Sequence, residues 1–168
     1  TAADGPIESV IADIDGDGKA DLVQANAHAH NISLFRNVSI PGTLDGSSFA
    51  RRVDLPLIDN RRCPSCITVA DVDGDGKLDI VVGDQGMRGV LVYRNISTPG
   101  DLTVASFAPP VSFAAGAGSN PQGVRVADLN GDGLPELLVV NRSANTVSIL
   151  KNTGSAGTLT TNSFAPQY

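Results

Sequence analysis

Asp13, Asp15, Asp17 and Asp21 stand in the run DIDGDGKAD, four carboxylates within nine residues. The run returns as DVDGDGKLD from Asp71 to Asp79 and, loosened, as DLNGDGLPE from Asp128 to Glu136. Its first positions lie 58 and then 57 residues apart. Residues of this kind at this spacing can hold a metal ion. Positions 1, 3 and 5 alternate along the chain, so their oxygens can converge on one point while the chain turns around it. Glycines at positions 4 and 6 permit the positive φ that such a turn needs. Position 7 (Lys19, Lys77, Leu134) offers only its carbonyl, which leaves its side chain free to vary. Position 9 (Asp21, Asp79, Glu136) closes the sphere. Calcium, a hard cation that takes ~6–8 oxygen ligands at flexible geometry, suits this donor set. The competing reading is a pair of metal-free Asp-Gly turns. Four unneutralised carboxylates so close together would repel one another, and that argues for the cation. An EF-hand is a poor match, because it needs a bidentate Glu at position 12. Here position 12 is Gln24, Val82 and Val139, and the flanks lack helical period, so the loop joins two strands.

The repeat extends well beyond the loop. Before it stand GPIESVIA, CPSCITVA and NPQGVRVA, each with a proline at the same place (Pro6, Pro64, Pro121) and ending at Ala12, Ala70 and Ala127. After it come the apolar runs LVQAN, IVVGD and LLVVN, then NISLFRN, GVLVYRN and TVSILKN, ending at Asn37, Asn95 and Asn152. Twelve residues after each asparagine stands a phenylalanine: Phe49, Phe107, Phe164. The last runs are FARRVDL, FAPPVSF and FAPQY. Short Val-, Ile- and Leu-rich runs bounded by Gly, Pro, Asn and Asp are strand signals. Four antiparallel strands per unit, repeated at this length, fit a β-propeller blade. The expected fold is all-β: a single repeat array over 1–168, with blade 1 at 5–58, blade 2 at 63–116 and blade 3 at 120–168. Propellers usually have about 4–8 blades. Three blades therefore imply a part of a larger propeller, or copies of the chain that assemble into one.

The chain has 168 residues and a net charge of −6. Eleven of its 18 acids lie in the three loops, and the other seven against 12 bases leave +5. Three divalent cations would bring the total to zero, so the acidity belongs to metal loops rather than to an acidic tail. No basic stripe for nucleic acid is present. No run of 18 apolar residues crosses a membrane as a helix. The chain starts at Thr1, which reads as a mature product or an excised piece. Cys63 and Cys66, in CPSC, are open to three readings: an oxidised pair in an oxidising compartment, inert thiols, or redox or zinc chemistry, which lacks its usual context. Four Asn-x-Ser triplets, at Asn31, Asn37, Asn95 and Asn141, have the form of glycosylation acceptors and are read as chance.

Loops of the form DxDGDGxxD between an inner strand and an apolar second strand, with NPQG-like residues upstream, resemble FG-GAP/VCBS repeats. These are the calcium-bearing blades of the integrin α-subunit propeller and of many secreted bacterial proteins. The resemblance covers nearly the whole chain. It implies three Ca²⁺ sites. The first is Asp13, Asp15, Asp17, Lys19 (carbonyl) and Asp21; the second is Asp71, Asp73, Asp75, Lys77 (carbonyl) and Asp79. The third is Asp128, Asn130, Asp132, Leu134 (carbonyl) and Glu136, which departs from the pattern in Glu136 and Pro135.

The resemblance also implies a secreted or cell-surface adhesion or ligand-binding module. No catalytic constellation is visible: the serines lack His and Asp partners, and His28 and His30 read as solvated loop residues. The expectation is therefore a non-enzyme. In a propeller the acidic loops own one face. The other gathers 26–31, 84–89 and 141–145, with Arg61, Arg62 and the cysteines nearby. Variable loops on a rigid scaffold are where binding sits, so a protein or glycan ligand is expected there. A lectin is the alternative, weakened by the absence of Trp and the presence of only two Tyr. A spacer inside a larger secreted enzyme is a further one.

Overall fold

The computed structural model describes residues 3–58 and 63–165. They form three antiparallel sheets with one short 3₁₀ turn at Val104–Ser106. The first sheet is β1 (Pro6–Ala12), β2 (Asp21–Asn26), β3 (Asn31–Phe35) and β4 (Val53–Pro56), paired in that order. The second is β5 (Pro64–Ala70), β6 (Asp79–Asp84), β7 (Gly89–Tyr93) and β8 (Val111–Ala114). The third is β9 (Pro121–Ala127), β10 (Glu136–Asn141) and β11 (Thr146–Leu150). The all-β, antiparallel expectation stands, with four strands in each of the first two sheets. The three sheets make an open row rather than a closed ring.

Two details differ from the sequence reading. The third sheet has three strands among the described residues, and the run expected to supply a fourth falls partly on 166–168, outside them. The final run of each repeat also does not pair from its phenylalanine onward. Phe49 and Phe107 each make one isolated bridge, to Asn37 and Asn95, and the strand proper starts four residues later, at Val53 and Val111. In the second repeat Pro109 and Pro110 fill that gap, and proline has no N–H to give a ladder.

The prolines that open the inner strands have the same meaning. Register slips between Pro6 and Glu8, between Pro64 and Cys66, and opposite Pro121, where β10 shifts between Val140 and Asn141. Proline is tolerated at the first residue of a strand or at a bulge, and here it marks both. The inner strands stand side by side, β1 against β5 and β5 against β9, so the sheets follow one another around a common line.

Two hydrophobic layers lie between the sheets. The first joins Ile14, Val23, Ile32, Leu34 and Leu55 to Ile67, Ile80, Val82, Leu91 and Tyr93. The second joins Val72, Val81, Val90, Val92 and Phe113 to Val124, Leu137, Val139, Leu150 and Phe164. Phe113 and Phe164 meet edge to face at 4.9 Å. The middle sheet is covered on both faces. Every residue of β6 and β7 is buried, which is why GVLVY and the IVVG between Asp79 and Asp84 are apolar. Replacing Leu91 by Ala should cost about 2–5 kcal/mol, as a cavity in a packed layer does. Ile40→Ala, at a largely exposed position, should stay within about 0.5 kcal/mol. Chemical denaturation of the two variants checks the contrast.

Candidate metal centre

Each acidic loop lies between the first and second strands of its sheet. The two glycines of each loop take the left-handed backbone, at φ +70° and +88° for Gly16 and Gly18 and +71° and +87° for Gly74 and Gly76. The third loop keeps this with Gly131 and Gly133 at +79° and +84°. The curl turns backbone N–H groups inward onto the carboxylates. Asp13 accepts from Asp17 N (3.1 Å) and Gly18 N (2.9 Å), and Asp15 accepts from Asp17 N (3.1 Å). Asp17 accepts from Lys19 N at 2.9 Å. Asp21, fully buried, takes Ile14 N at 3.1 Å on one oxygen and Asn37 N at 2.7 Å on the other. The second loop repeats the scheme, with Asp79 accepting from Val72 N and Asn95 N.

The outcome is convergence of positions 1, 3 and 9. Asp13, Asp15 and Asp21 each place a carboxylate oxygen within 4.8 Å of the others, and so do Asp71, Asp73 and Asp79. Three hard anionic oxygens in so small a volume fit a calcium-like cation. Position 5 is placed differently. Asp17 and Asp75 lie outside these triads, and each gives an oxygen to an arginine. Position 7 is bonded through its own N–H to position 5, in Lys19, Lys77 and Leu134 alike. The Lys77 side chain has a task of its own, donating to Ser97 O at 2.8 Å.

The third loop departs in its chemistry. Glu136 is longer than aspartate, yet it reaches the same backbone donor, Leu129 N, at 2.9 Å. Its other oxygen accepts from the Asn130 amide at 3.0 Å. Asp128 keeps its two glycine N–H donors, which hold its carboxyl below the usual range, Gly133 first and then Gly131.

The sequence reading missed a cation already present beside each loop. The Arg36 guanidinium spans Asp15 (2.6 Å) and Asp17 (2.8 Å). Arg94 spans Asp73 and Asp75, the latter at 2.9 Å. In the third repeat Lys151 stands 4.0 Å from Asp132. A planar fork bridging two carboxylates fixes their geometry in a way an ammonium does not. The available signal was the dipeptide RN, RN or KN that ends the third run of every repeat.

The asparagine of that dipeptide is the second missed element. Its side-chain oxygen accepts from the residue two further on, Ser39 in one repeat and Ser97 in the next. Its amide donates to the residue before position 9: Ala20 O, Leu78 O and Pro135 O. This is the physical content of two of the Asn-x-Ser triplets, and Asn95 is fully buried.

The cysteines do not form the disulfide that was one of their readings. Both are free. Cys66 turns into the second hydrophobic layer, and burial pushes its thiol up to about 11. It is a packing residue. Cys63 precedes the strand and its N–H donates to Asp84. His28 is exposed near Asp4, as expected of a solvated loop residue. Arg61 and Arg62 lie outside the described residues.

Burial pushes the Asp79 carboxyl up to about 7, with the charges of Asp73 and Asp75 adding to the effect and the Asn95 and Val72 N–H groups opposing it. Asp21 is raised for the same first reason. A carboxyl raised from 3.8 to about 7 keeps its proton in the folded chain where the unfolded chain has lost it. Ionising it therefore works against the fold. In chelator the protein should lose stability as pH rises from about 4 to about 7, and change little above that. A divalent cation takes the place of the proton, so its stabilising effect should grow over the same interval. Thermal melts across pH, with and without calcium, check both signs.

An FG-GAP-like repeat model matches the chain twice, over residues 13–82 and 71–139. Each match starts at the first carboxylate of one loop and ends in the strand that follows the next loop, so the two share the second loop and together include all three. No curated protein matches the chain. Together the two matches run over residues 13–139, through all three acidic loops and the strands between them, and the chain belongs to the FG-GAP-like repeat family.

Proposed function

We propose that this chain is a calcium-stabilised, non-catalytic binding module of propeller type, in a secreted or cell-surface protein. FG-GAP-like repeats in general point to propeller-like extracellular binding modules. The observation that supports calcium is the pair of carboxylate triads, Asp13/Asp15/Asp21 and Asp71/Asp73/Asp79, each curled by two left-handed glycines. In this reading Asn130 and Glu136 supply oxygens to the third site in place of aspartates. The ion acts as a staple: it binds the folded loop and offsets clustered negative charge.

The ligand-binding surface is assigned to the face opposite the acidic loops, for a protein or glycan partner. The turns there differ from repeat to repeat: AHAHN, QGMRG and RSANT. They share one backbone device, a left-handed residue at His30, Arg88 and Asn145, so a constant frame carries variable side chains. A polar cleft of about 310 Å³ opens on this face between the second and third repeats, lined by Gln85, Arg88, Ser119, Asn120 and Ser143. The module performs no bond chemistry in this reading, because its clustered carboxylates are committed to backbone donors and to metal.

Millimolar calcium should raise the melting temperature and chelator should lower it, with dissociation constants on the order of 10⁻⁴–10⁻³ M, as in extracellular modules. Asp15→Ala should abolish binding at the first site, and Lys19→Ala should leave it nearly unchanged. Calorimetric titration separates the two. Equal losses would refute the ligand scheme, and a melting curve indifferent to calcium would refute the staple.

A further inference from the structure

We infer that the chain docks head to tail with a second copy of itself, through a clasp it already makes twice internally. The inference rests on the propeller reading of the three sheets and is independent of calcium occupancy. The clasp has three parts. The Asn95 amide donates across the seam to Ile14 O at 2.7 Å, and Asn152 donates to Val72 O at 2.9 Å. Gly100 N donates to Asp15 O at 3.2 Å, and Gly157 N to Asp73 O at 2.7 Å. Leu102 and Leu159, two residues beyond those glycines, enter the hydrophobic layer shared with the preceding sheet. Each repeat thus grips the acidic loop of the repeat before it. The partners stand at the same offsets of 58 and 57 residues as the loops themselves.

Both halves of a third clasp are present and unengaged among the described residues. The front half lies on the first repeat. Asn37 keeps its bond to Ala20 O, but its amide makes no bond across a seam. Gly42 holds the left-handed backbone of Gly100 and Gly157, at φ +85°. Leu44, the counterpart of Leu102 (7% exposed), is 80% exposed. The rear half lies on the third repeat. The carbonyls of Leu129 and Asn130 stand where those of Ile14 and Asp15 are gripped. Leu129 is 55% exposed, whereas Ile14 and Val72 at the same position are buried. Val147 is exposed where its counterparts Ile32 and Val90 are fully buried, and Val140, paired with it across β10 and β11, is exposed as well.

The occupant that fits a rear half is a front half, and a second copy carries one. Such a contact is heterologous, so it closes a ring when the rotations add up to a full turn. Two copies would supply six blades, within the usual range of about 4–8.

Leu44→Glu blocks only the front edge and Val147→Glu only the rear, and both positions are exposed in the single chain. Light scattering should give the unmodified chain twice the monomer mass. Each variant alone should be monomeric, with an unchanged circular dichroism spectrum and the same melting response to calcium. An equimolar mixture should recover a one-to-one dimer, because one intact front then meets one intact rear. A monomeric parent at high concentration would overturn the inference. So would a Leu44→Glu variant that still dimerises, since that would mean rear-to-rear pairing, or a mixture that stays monomeric. If a glutamate variant loses its fold, Leu44→Lys and Val147→Lys make the same comparison. A failure here leaves the calcium titration intact, so the two readings fall separately.

Discussion

Negative charge concentrated at the seams between sheets governs this molecule. Each of the first two loops brings four carboxylates together and buries at least two of them. Desolvation makes that unfavourable unless each oxygen finds a donor. The chain answers with its own backbone: the loop curls until its amides face inward, and Asp21 and Asp79 each take one N–H from the loop and one from the third strand's end. An arginine covers positions 3 and 5. The glycines, the register of the hairpin and the asparagine after β3 or β7 all follow from satisfying those oxygens.

The same loops couple the sheets. A carbonyl turned outward by the curl is available to the next repeat, and Asn95 and Asn152 take it. Hydrophobic layers provide most of the attraction between sheets, but that attraction is non-directional. The asparagine and glycine bonds fix the offset. Arg36 takes part at one remove: its guanidinium occupies the space a side chain on Gly100 would need, 3.1 Å from that position. The metal loop, the charge that tempers it and the neighbouring repeat thus form one connected unit.

Much of this was legible in the sequence. Threefold self-similarity gave the sheet order, because one supersecondary unit written three times has to stack. The glycines at positions 4 and 6 announced the loop's curl, and the short Val-, Ile- and Leu-rich runs announced the strands. Other features were visible only in three dimensions. Arg36 is 21 residues from Asp15, and no local pattern says that a strand-end basic residue folds back onto the loop. Asn95 reaches a carbonyl 81 residues away while looking, in the sequence, like a glycosylation triplet. Cys63 and Cys66 are close in sequence, yet Cys63 precedes the bulge beside Pro64 while Cys66 is buried in the apolar layer. The fourth-strand boundary was misplaced because Phe49 and Phe107 pair singly before the chain leaves and rejoins the ladder.

The direction of the grip also bears on how the chain is made. Synthesis runs from the N-terminus, and domains tend to fold as they emerge. The loop at Asp13 receives its seam bonds from Asn95 and Gly100, both of the second repeat, and the loop at Asp71 from Asn152 and Gly157. Neither of these two acidic loops is therefore finished by its own repeat. Each stays under-constrained on the ribosome until the next third strand has been translated and has swung back, so order travels along the chain one repeat behind elongation.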